Sequence, residues 1–415
     1  MEGPKAVAQP ESLLFRTFVS LGYRNYRLFW LGSCTEHMGE WMELAGLLWL
    51  VNDLTHSPLM LTVVGSCRYI PMVFFPIVGG MVADRMERRR LLMLTLLGSA
   101  FLSIILAILV KTGIVAVWHL VVLSLMSGVT TSFNHPARQS IVPNLVSKEH
   151  LLNAISLDSA SVQASRFVGT PFAGYLIAGY GVIPVFGVRA VGALLAICWL
   201  LFIRVRLHPP RAIIKAPWHN VIEGFKYIRG DVLLLSLLPL YLIPMLTQNT
   251  TFNFLPIFAR DILKIGASGY GFLQSAPGLG ALAGLIGLAA LPFHRLKGSL
   301  LFTTSGILGL ALVLFSASHW AGLSLFLMVI VGGMITTFMT INTALIQNQV
   351  SDAMRGRVMS LREIAMGLGP AWSLIFGFIG EQTSVPFALG LLGTLCIVIS
   401  ISLLFLLSKV RLSRV

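Results

Sequence analysis

Long apolar runs separated by short polar segments follow one another along almost the whole chain. About 20 consecutive apolar residues are enough for a helix to cross the hydrocarbon core of a membrane. A window of that length predicts twelve membrane-spanning helices. The first six are predicted near 28–51, 59–82, 91–110, 117–137, 151–178 and 182–203. The second six are predicted near 232–258, 268–291, 299–316, 320–346, 355–379 and 385–408.

The two sets of six predicted spans carry similar sequences, which indicates an internal repeat. IVPNLVSKE at 141–149 is similar to LIQNQVSDA at 345–353. Such repetition is typical of secondary transporters, which bind their substrate at mid-membrane between the repeats. The sequence therefore predicts an all-α membrane protein with two pseudo-symmetric six-helix bundles, over 1–203 and 231–415.

The segment 204–230 is predicted to be a cytoplasmic linker. After three prolines, apolar residues recur at helical spacing and are followed closely by Lys226 and Arg229. This pattern predicts a short amphipathic helix that lies on the inner leaflet. A plain basic linker is the alternative.

The composition agrees with a membrane protein. Hydrophobic residues make up 56% of the chain and charged residues only 11%, with a mean hydropathy of +0.84. A soluble domain has about 25% charged residues. The net charge of +14 could indicate a nucleic-acid partner, but the basic residues fall in short clusters between apolar runs. We therefore predict no nucleic-acid partner.

The distribution of lysine and arginine predicts the orientation. Segments on the side of the N-terminus hold most of these residues, including Arg88, Arg89 and Arg138, whereas the opposite side has only Lys111, Arg260 and Lys264. Cytoplasmic segments are enriched in lysine and arginine. We therefore predict a multi-pass protein of the inner cell membrane with both termini in the cytoplasm. Arg189, near the outer end of its span, is expected to reach the outer interface.

Motifs of other protein classes are missing from the sequence. Four cysteines lie inside the apolar runs and have no metal-ligand spacing: Cys34, Cys67, Cys198 and Cys396. There is also no H-E-x-x-H motif, no glycine-rich phosphate loop and no nucleophile elbow. The sequence predicts no metal, no cofactor and no enzymatic activity, and a membrane enzyme or receptor is the least favoured class.

The loop after the second predicted span carries a recognisable motif. GGMVADRMERRRLL at 79–92 resembles the G-x-x-x-D-R-x-G-R-R signature of the major facilitator superfamily, although Glu87 replaces a glycine. The resemblance implies a gating latch between the second and eleventh spans. Its residues would be Gly80, Asp84, Arg85, Arg88 and Arg89 of the loop, with Arg362 and Glu363 on the eleventh span.

Four further stretches resemble the drug:proton antiporter branch that contains macrolide-efflux and enterobactin-export proteins. They are RNYRLFWLG at 24–32, GEWMELAGLLWLVNDLTHSPLMLTVV at 39–64, VPNLVSKEHLLNAISL at 142–157 and RGRVMSL at 355–361. The resemblance implies proton-coupled export of a small amphipathic or hydrophobic compound by alternating access. A siderophore or lysophospholipid carrier of the same fold is the alternative. The expected partners are a small-molecule substrate, protons and membrane lipids, and a monomer is expected.

The first predicted span carries three acids on one stripe. Glu36, Glu40 and Glu43 are four and three residues apart, which places them on one face of a helix. If they faced lipid, the three charges together would cost about 8–10 kcal/mol. A whole fold is worth only about 5–15 kcal/mol. The stripe is therefore predicted to face protein or water.

Depth along the helices predicts partners for these acids. With a rise of about 1.5 Å per residue, Arg68 comes level with Glu40, Arg166 with Glu43 and Asp158 with Glu36. Removal from water favours a protonated acid, whereas a nearby arginine favours the carboxylate. We hypothesise that Glu40 and one neighbour exchange protons during transport. A static network that holds the N-terminal bundle together is the alternative.

The second half has uncharged polar residues in its spans. Hydrogen bonds to the substrate and polar contacts between helices explain them about equally well. These substrate-cavity candidates are Gln248, Asn249, Asn253, Asn342 and Gln347.

Overall fold

The computed structural model describes residues 18–72, 86–204, 217–290 and 298–412, which are helical almost throughout. Each predicted span coincides with a helix over its described residues, and the seventh coincides with two. The helices of the first half are α1 (Arg24–Thr55), α2 (Pro58–Cys67), α3 (Arg88–Lys111), α4 (Val117–Ile141), α5 (Leu151–Tyr180) and α6 (Ile183–Leu201). Those that follow are α7 (Pro217–Arg229), α8 (Val232–Leu240), α9 (Leu242–Ile257), α10 (Gly266–Ala289), α11 (Gly298–Ser316), α12 (Ala321–Gln349), α13 (Asp352–Gln382) and α14 (Val385–Leu412).

Several of these helices have the length and composition of membrane spans. Arg88–Lys111 has a mean hydropathy of 2.6 and Ala321–Gln349 one of 2.1. Ile183–Leu201, Gly266–Leu288 and Val385–Ser402 are also long and apolar enough to cross a membrane. Large apolar side chains such as Phe101 and Phe326 are exposed on these helices, as expected of helices in contact with lipid. No β-strand occurs in the described residues.

The chain divides into two compact units. The first unit contains Met1–Leu50 and Pro71–Ile213, and the second contains Val51–Ile70 and Ile214–Val415. The division differs from the predicted bundles in residues 51–70, because α2 makes its hydrogen bonds with α13. The Ser66 hydroxyl donates to the carbonyl of Pro370 over 2.8 Å.

In the first unit, glycines allow α1 and α6 to approach closely. Gly32, Gly39 and Gly46 recur every seven residues on α1 and face α6. A Cβ atom added to Gly39 would lie 3.2 Å from the Cα atom of Arg189, and one added to Gly192 would lie 3.1 Å from the carbonyl oxygen of Thr35. Small residues at a helix interface permit this backbone proximity. The contact places Arg189 directly against the acidic helix.

Buried hydrogen bonds attach α1 to α5. The Tyr26 hydroxyl donates to the carbonyl of Ala154 over 2.7 Å, and the Trp30 indole N–H donates to that of Leu157 over 3.1 Å. Buried polar tips of tyrosine and tryptophan usually find such partners. Because Asp158 follows Leu157, these bonds bring it close to the N-terminal half of α1.

In the second unit, ion pairs lie at both ends. At one end, Asp53 pairs with Arg260, and the carboxylate of Glu381 accepts the hydroxyl of Ser57 over 2.6 Å. At the other end, Glu223 of α7 pairs with Arg357 of α13 over 2.5 Å.

Candidate acid–base site

The acidic stripe of α1 lies in the interior of the first unit. The side chains of Glu36 and Glu43 are only 9% and 11% exposed, whereas that of Glu40 is 29% exposed. All three acids have partners on the protein. The stripe therefore contains two buried acids with one more accessible acid between them.

Glu36 forms a buried ion pair with Arg138 of α4. The Arg138 Nη1 atom lies 2.5 Å from the Glu36 Oε2 atom, and its guanidinium carbon is 5.5 Å from the centre of the Phe29 ring. On its other side, the Arg138 Nε atom is 3.8 Å from the Oδ1 atom of Asp158, which is too long for a hydrogen bond. Arg138 thus links α1, α4 and α5.

Glu43 is held by two other helices. The Ser103 hydroxyl of α3 donates to one carboxylate oxygen over 2.7 Å, and the Arg189 Nε–H of α6 donates to the other over 3.2 Å. Arg189 also donates from Nη1 to the backbone carbonyl of Glu36 over 3.2 Å. This second cluster joins α1, α3 and α6 without a water-exposed group.

Replacing Ser103 with alanine is expected to destabilise the protein by about 1–3 kcal/mol, because a buried carboxylate oxygen loses its donor. Ser156→Ala is the matched control, since that exposed hydroxyl bonds only to the carbonyl of Leu152 in its own helix. Thermal unfolding of the two purified variants measures the difference. Equal stability would show that Ser103 does not support Glu43.

Glu40 lines a small polar pocket of the first unit. Its Oε2 atom is 3.6 Å from the Nδ1 atom of His37, and the exposed His135 of α4 lines the same pocket. The Asn134 amide, also in the lining, donates to the Thr95 hydroxyl over 3.0 Å. The full lining is Glu36, His37, Glu40, Ser99, Thr131, Asn134, His135, Arg138 and Arg189. Carboxylate and imidazole groups are the side chains best suited to accept and donate protons.

The structure changes two assignments made from the sequence. Arg189 does not reach an outer interface: it is 97% buried and holds Glu43. Arg138 is not a cytoplasmic loop residue, because α4 continues to Ile141 and keeps its guanidinium in the interior. The signal that could have found Arg138 is the lack of any helix-breaking residue between it and Pro143.

The pairing of the acids with the other two arginines, Arg166 and Arg68, stays a prediction. Arg166 is buried with its guanidinium carbon 4.7 Å from the centre of the Trp41 ring, a cation–π contact. Arg189, which the sequence did not predict as a partner of the acids, bonds to Glu43. Arg68 is buried in the second unit.

The predicted gating loop is only partly within the described residues. Gly80, Asp84 and Arg85 lie outside them, as does the side chain of Glu363. Arg88 donates to the carbonyl of Ser140 over 2.5 Å and Arg89 to that of Leu201 over 2.8 Å, so both neutralise C-terminal ends of helices. Arg362 donates to the Tyr241 hydroxyl over 2.8 Å and stacks on that ring. Their gating role stays a prediction.

Two of the substrate-cavity candidates in the second unit donate hydrogen bonds to backbone carbonyls of helices. Asn342 is fully buried and donates to the carbonyl of Leu237 over 2.9 Å. Asn249 donates within its own helix to Met245 over 2.9 Å, and Asn253 is buried against Gly65 of α2. Gln248 is half-buried and Gln347 is exposed. Asn342 thus has the geometry of a helix–helix contact.

The chain is similar to known membrane transporters. The signature of the family described as transmembrane secretion effector matches residues 16–414. The staphyloferrin A transporter of Staphylococcus aureus is 23% identical over 390 residues, which cover 93% of this chain and 97% of that protein. The enterobactin exporter EntS of Escherichia coli is 25% identical over 369 residues, which cover 87% and 86% of the two chains.

Solved structures show the same fold. A POT family transporter in complex with a thioalcohol-conjugated peptide superposes with a TM-score of 0.75 at 16% identity, over 93% of this chain and 96% of that one. The nucleoside transporter NupG superposes with a TM-score of 0.67 at 16% identity, over 92% and 98% of the two chains. The chain therefore belongs to the transmembrane secretion effector family of the major facilitator superfamily, and it is a multi-pass membrane transporter of the secretion type rather than an enzyme.

Proposed function

We propose that the chain exports a small amphipathic or hydrophobic compound in exchange for protons by alternating access, with Glu40 as the acid that binds the proton. The observation that carries this proposal is the position of Glu40. Its side chain is the most exposed of the three acids on α1, and it lines a polar pocket with two histidines.

The two other acids of the stripe suit a structural role better. Protonation of Glu36 or Glu43 would remove the hydrogen-bonded counter-charge of a buried arginine. Breaking a buried ion pair in this way costs about 3–5 kcal/mol. A transport cycle that protonates either acid would have to supply that free energy in every turnover. Glu40 is the most exposed of the three acids, so water reaches its carboxylate more easily than those of Glu36 and Glu43.

The neighbouring histidines offer a route for the proton. His37 lies within 3.6 Å of Glu40, and His135 lies across the same pocket on α4. An imidazole that alternately accepts and donates can pass a proton between water and a carboxylate. A proton and a substrate that compete for Glu40 would give antiport, because each must leave before the other binds.

A siderophore is the second candidate for the exported compound. Two relatives that cover most of this chain are named as a staphyloferrin A transporter and an enterobactin exporter. Purified protein in liposomes should be supplied with radiolabelled siderophore and with lipophilic drugs in parallel. Gradient-driven movement of the siderophore alone would favour this second candidate, and movement of the drugs alone would favour the first.

Glu40→Gln is expected to reduce gradient-driven export about tenfold or more, since a positioned acid–base group typically contributes at least that much. Exchange of labelled for unlabelled substrate at equal pH should continue, because it needs no net proton movement. The measurement is transport by proteoliposomes under an imposed pH gradient. Glu149→Gln is the matched control, since Glu149 is exposed on a short 3-10 helix outside the pocket. Unchanged coupling in Glu40→Gln would remove this residue from the mechanism.

A further inference from the structure

We propose that α7, the helix of the linker, presents a binding face for anionic phospholipid headgroups of the cytoplasmic leaflet. The face consists of Phe225, Lys226 and Arg229, all of which are exposed. The proposal does not depend on the substrate or on the coupling ion.

One side of α7 is fixed to the second unit. Glu223 pairs with Arg357 of α13 over 2.5 Å. A Cβ atom added to the neighbouring Gly224 would lie 3.0 Å from the carbonyl oxygen of Arg357, so the two backbones are close. Ile228, one turn further on, is buried. This side of α7 is therefore occupied by the protein itself.

The opposite side of α7 combines an aromatic ring with two cations. Phe225 is 48% exposed, and the guanidinium carbon of Arg229 lies 4.6 Å from the centre of its ring. Lys226 is exposed beside them. A large apolar side chain flanked by lysine and arginine is the composition of helices that bind membrane interfaces. A face that binds only water or nucleic acid would not need the exposed phenyl ring.

The orientation of α7 also fits a membrane surface. The chain axis turns by 114° between Glu223–Arg229 and the helical segment Leu234–Ile262 that follows. The second segment coincides with the seventh span predicted from the sequence, and a turn of this size would bring α7 close to the membrane plane. The orientation predicted from lysine and arginine puts this end of the second unit in the cytoplasm.

Charge complementarity identifies the ligand class. Anionic lipids give the cytoplasmic leaflet a negative surface potential, and each lysine or arginine near it contributes to attraction. Lipid bound to α7 would also act on α13, because the Glu223–Arg357 pair connects the two helices. We therefore expect the transport rate to depend on the anionic lipid content of the membrane.

The test compares the full-length protein in phosphatidylcholine nanodiscs with and without phosphatidylglycerol. Hydrogen exchange of the α7 amides should slow about tenfold when phosphatidylglycerol is present, and transport in matching vesicles should rise. The variant with Lys226→Glu and Arg229→Glu should lose both responses. A variant with Lys226→Arg and Arg229→Lys should keep them, since it preserves the charge.

A matched control reverses two exposed cations of the first unit, Arg24→Glu and Lys148→Glu, and should respond to phosphatidylglycerol like the wild type. Equal exchange with and without phosphatidylglycerol in the wild type would overturn the proposal. A loss of response in this control variant as well would also overturn it, because net charge alone would then explain the effect. Protection of α7 that persists in detergent without phospholipid would mean that protein covers this face, and it too would overturn the proposal.

Discussion

Replacing Arg138 with glutamine is expected to lower the free energy of unfolding by about 3–5 kcal/mol. The guanidinium is the hydrogen-bonded partner of Glu36 and lies 3.8 Å from Asp158. Without it, a carboxylate that is only 9% exposed loses its counter-charge. Loss of half of a buried pair is far more damaging than loss of the whole pair, because the remaining charge cannot be solvated.

A double variant separates this electrostatic effect from lost packing. Glu36→Gln combined with Arg138→Gln removes both charges and should recover most of the stability lost in the single variant. Arg90→Gln is the surface control: its pair with Glu87 spans 3.2 Å, but the arginine side chain is 74% exposed. That change should cost about 1 kcal/mol or less. Unfolding of the three detergent-solubilised variants by heat or denaturant measures their stability. An Arg138→Gln protein as stable as Arg90→Gln would contradict a buried ion pair between Glu36 and Arg138.

Gly280→Ala is expected to destabilise the second unit by about 3 kcal/mol or more, through overpacking. A Cβ atom added to Gly280 of α10 would lie 1.8 Å from the carbonyl oxygen of Val329 in α12. The opposing Gly332 has the same restriction, since its Cβ atom would be 2.1 Å from the carbonyl oxygen of Pro277. The clash is with backbone on both sides, so no rotamer change can relieve it.

The same substitution two turns further along α10 provides the control. Gly287 also lies in α10, but no atom is within 4 Å of an added Cβ there. Gly287→Ala should leave stability unchanged or raise it slightly, because alanine has the higher helix propensity. Expression level and melting temperature of the two purified variants give the comparison. A Gly280→Ala protein as stable as Gly287→Ala would show that α10 and α12 are not in backbone contact.

The length of the apolar runs in the sequence predicted the helices well. A helix in lipid hydrogen-bonds all of its own backbone N–H and C=O groups. A run of about 20 apolar residues therefore specifies one span wherever it occurs. Similarly, the cost of charge in lipid predicted that Glu36, Glu40 and Glu43 turn inward, and the two acids that the structure buries do so.

The partners of those acids could not be predicted in the same way. Depth along a helix axis does not determine which side chains meet, because that depends on rotation about the axis. Arg189 contacts Glu43 because Gly39 lets α6 approach α1. Arg138 was not predicted as a partner of Glu36. The apolar run of the fourth span ends just before this arginine, and the helix was expected to end there too.

The sequence by itself determined the helical spans, their repeat and the inward direction of the acids, because each follows from the free energy of transfer between water and lipid. Only the tertiary structure decided which arginines hold the two buried acids. It joined Glu36 to Arg138 and Glu43 to Arg189, and it left Glu40 beside His37 at a polar pocket. These contacts depend on close helix packing, and a linear pattern of hydrophobicity contains no information about the rotation of one helix against another.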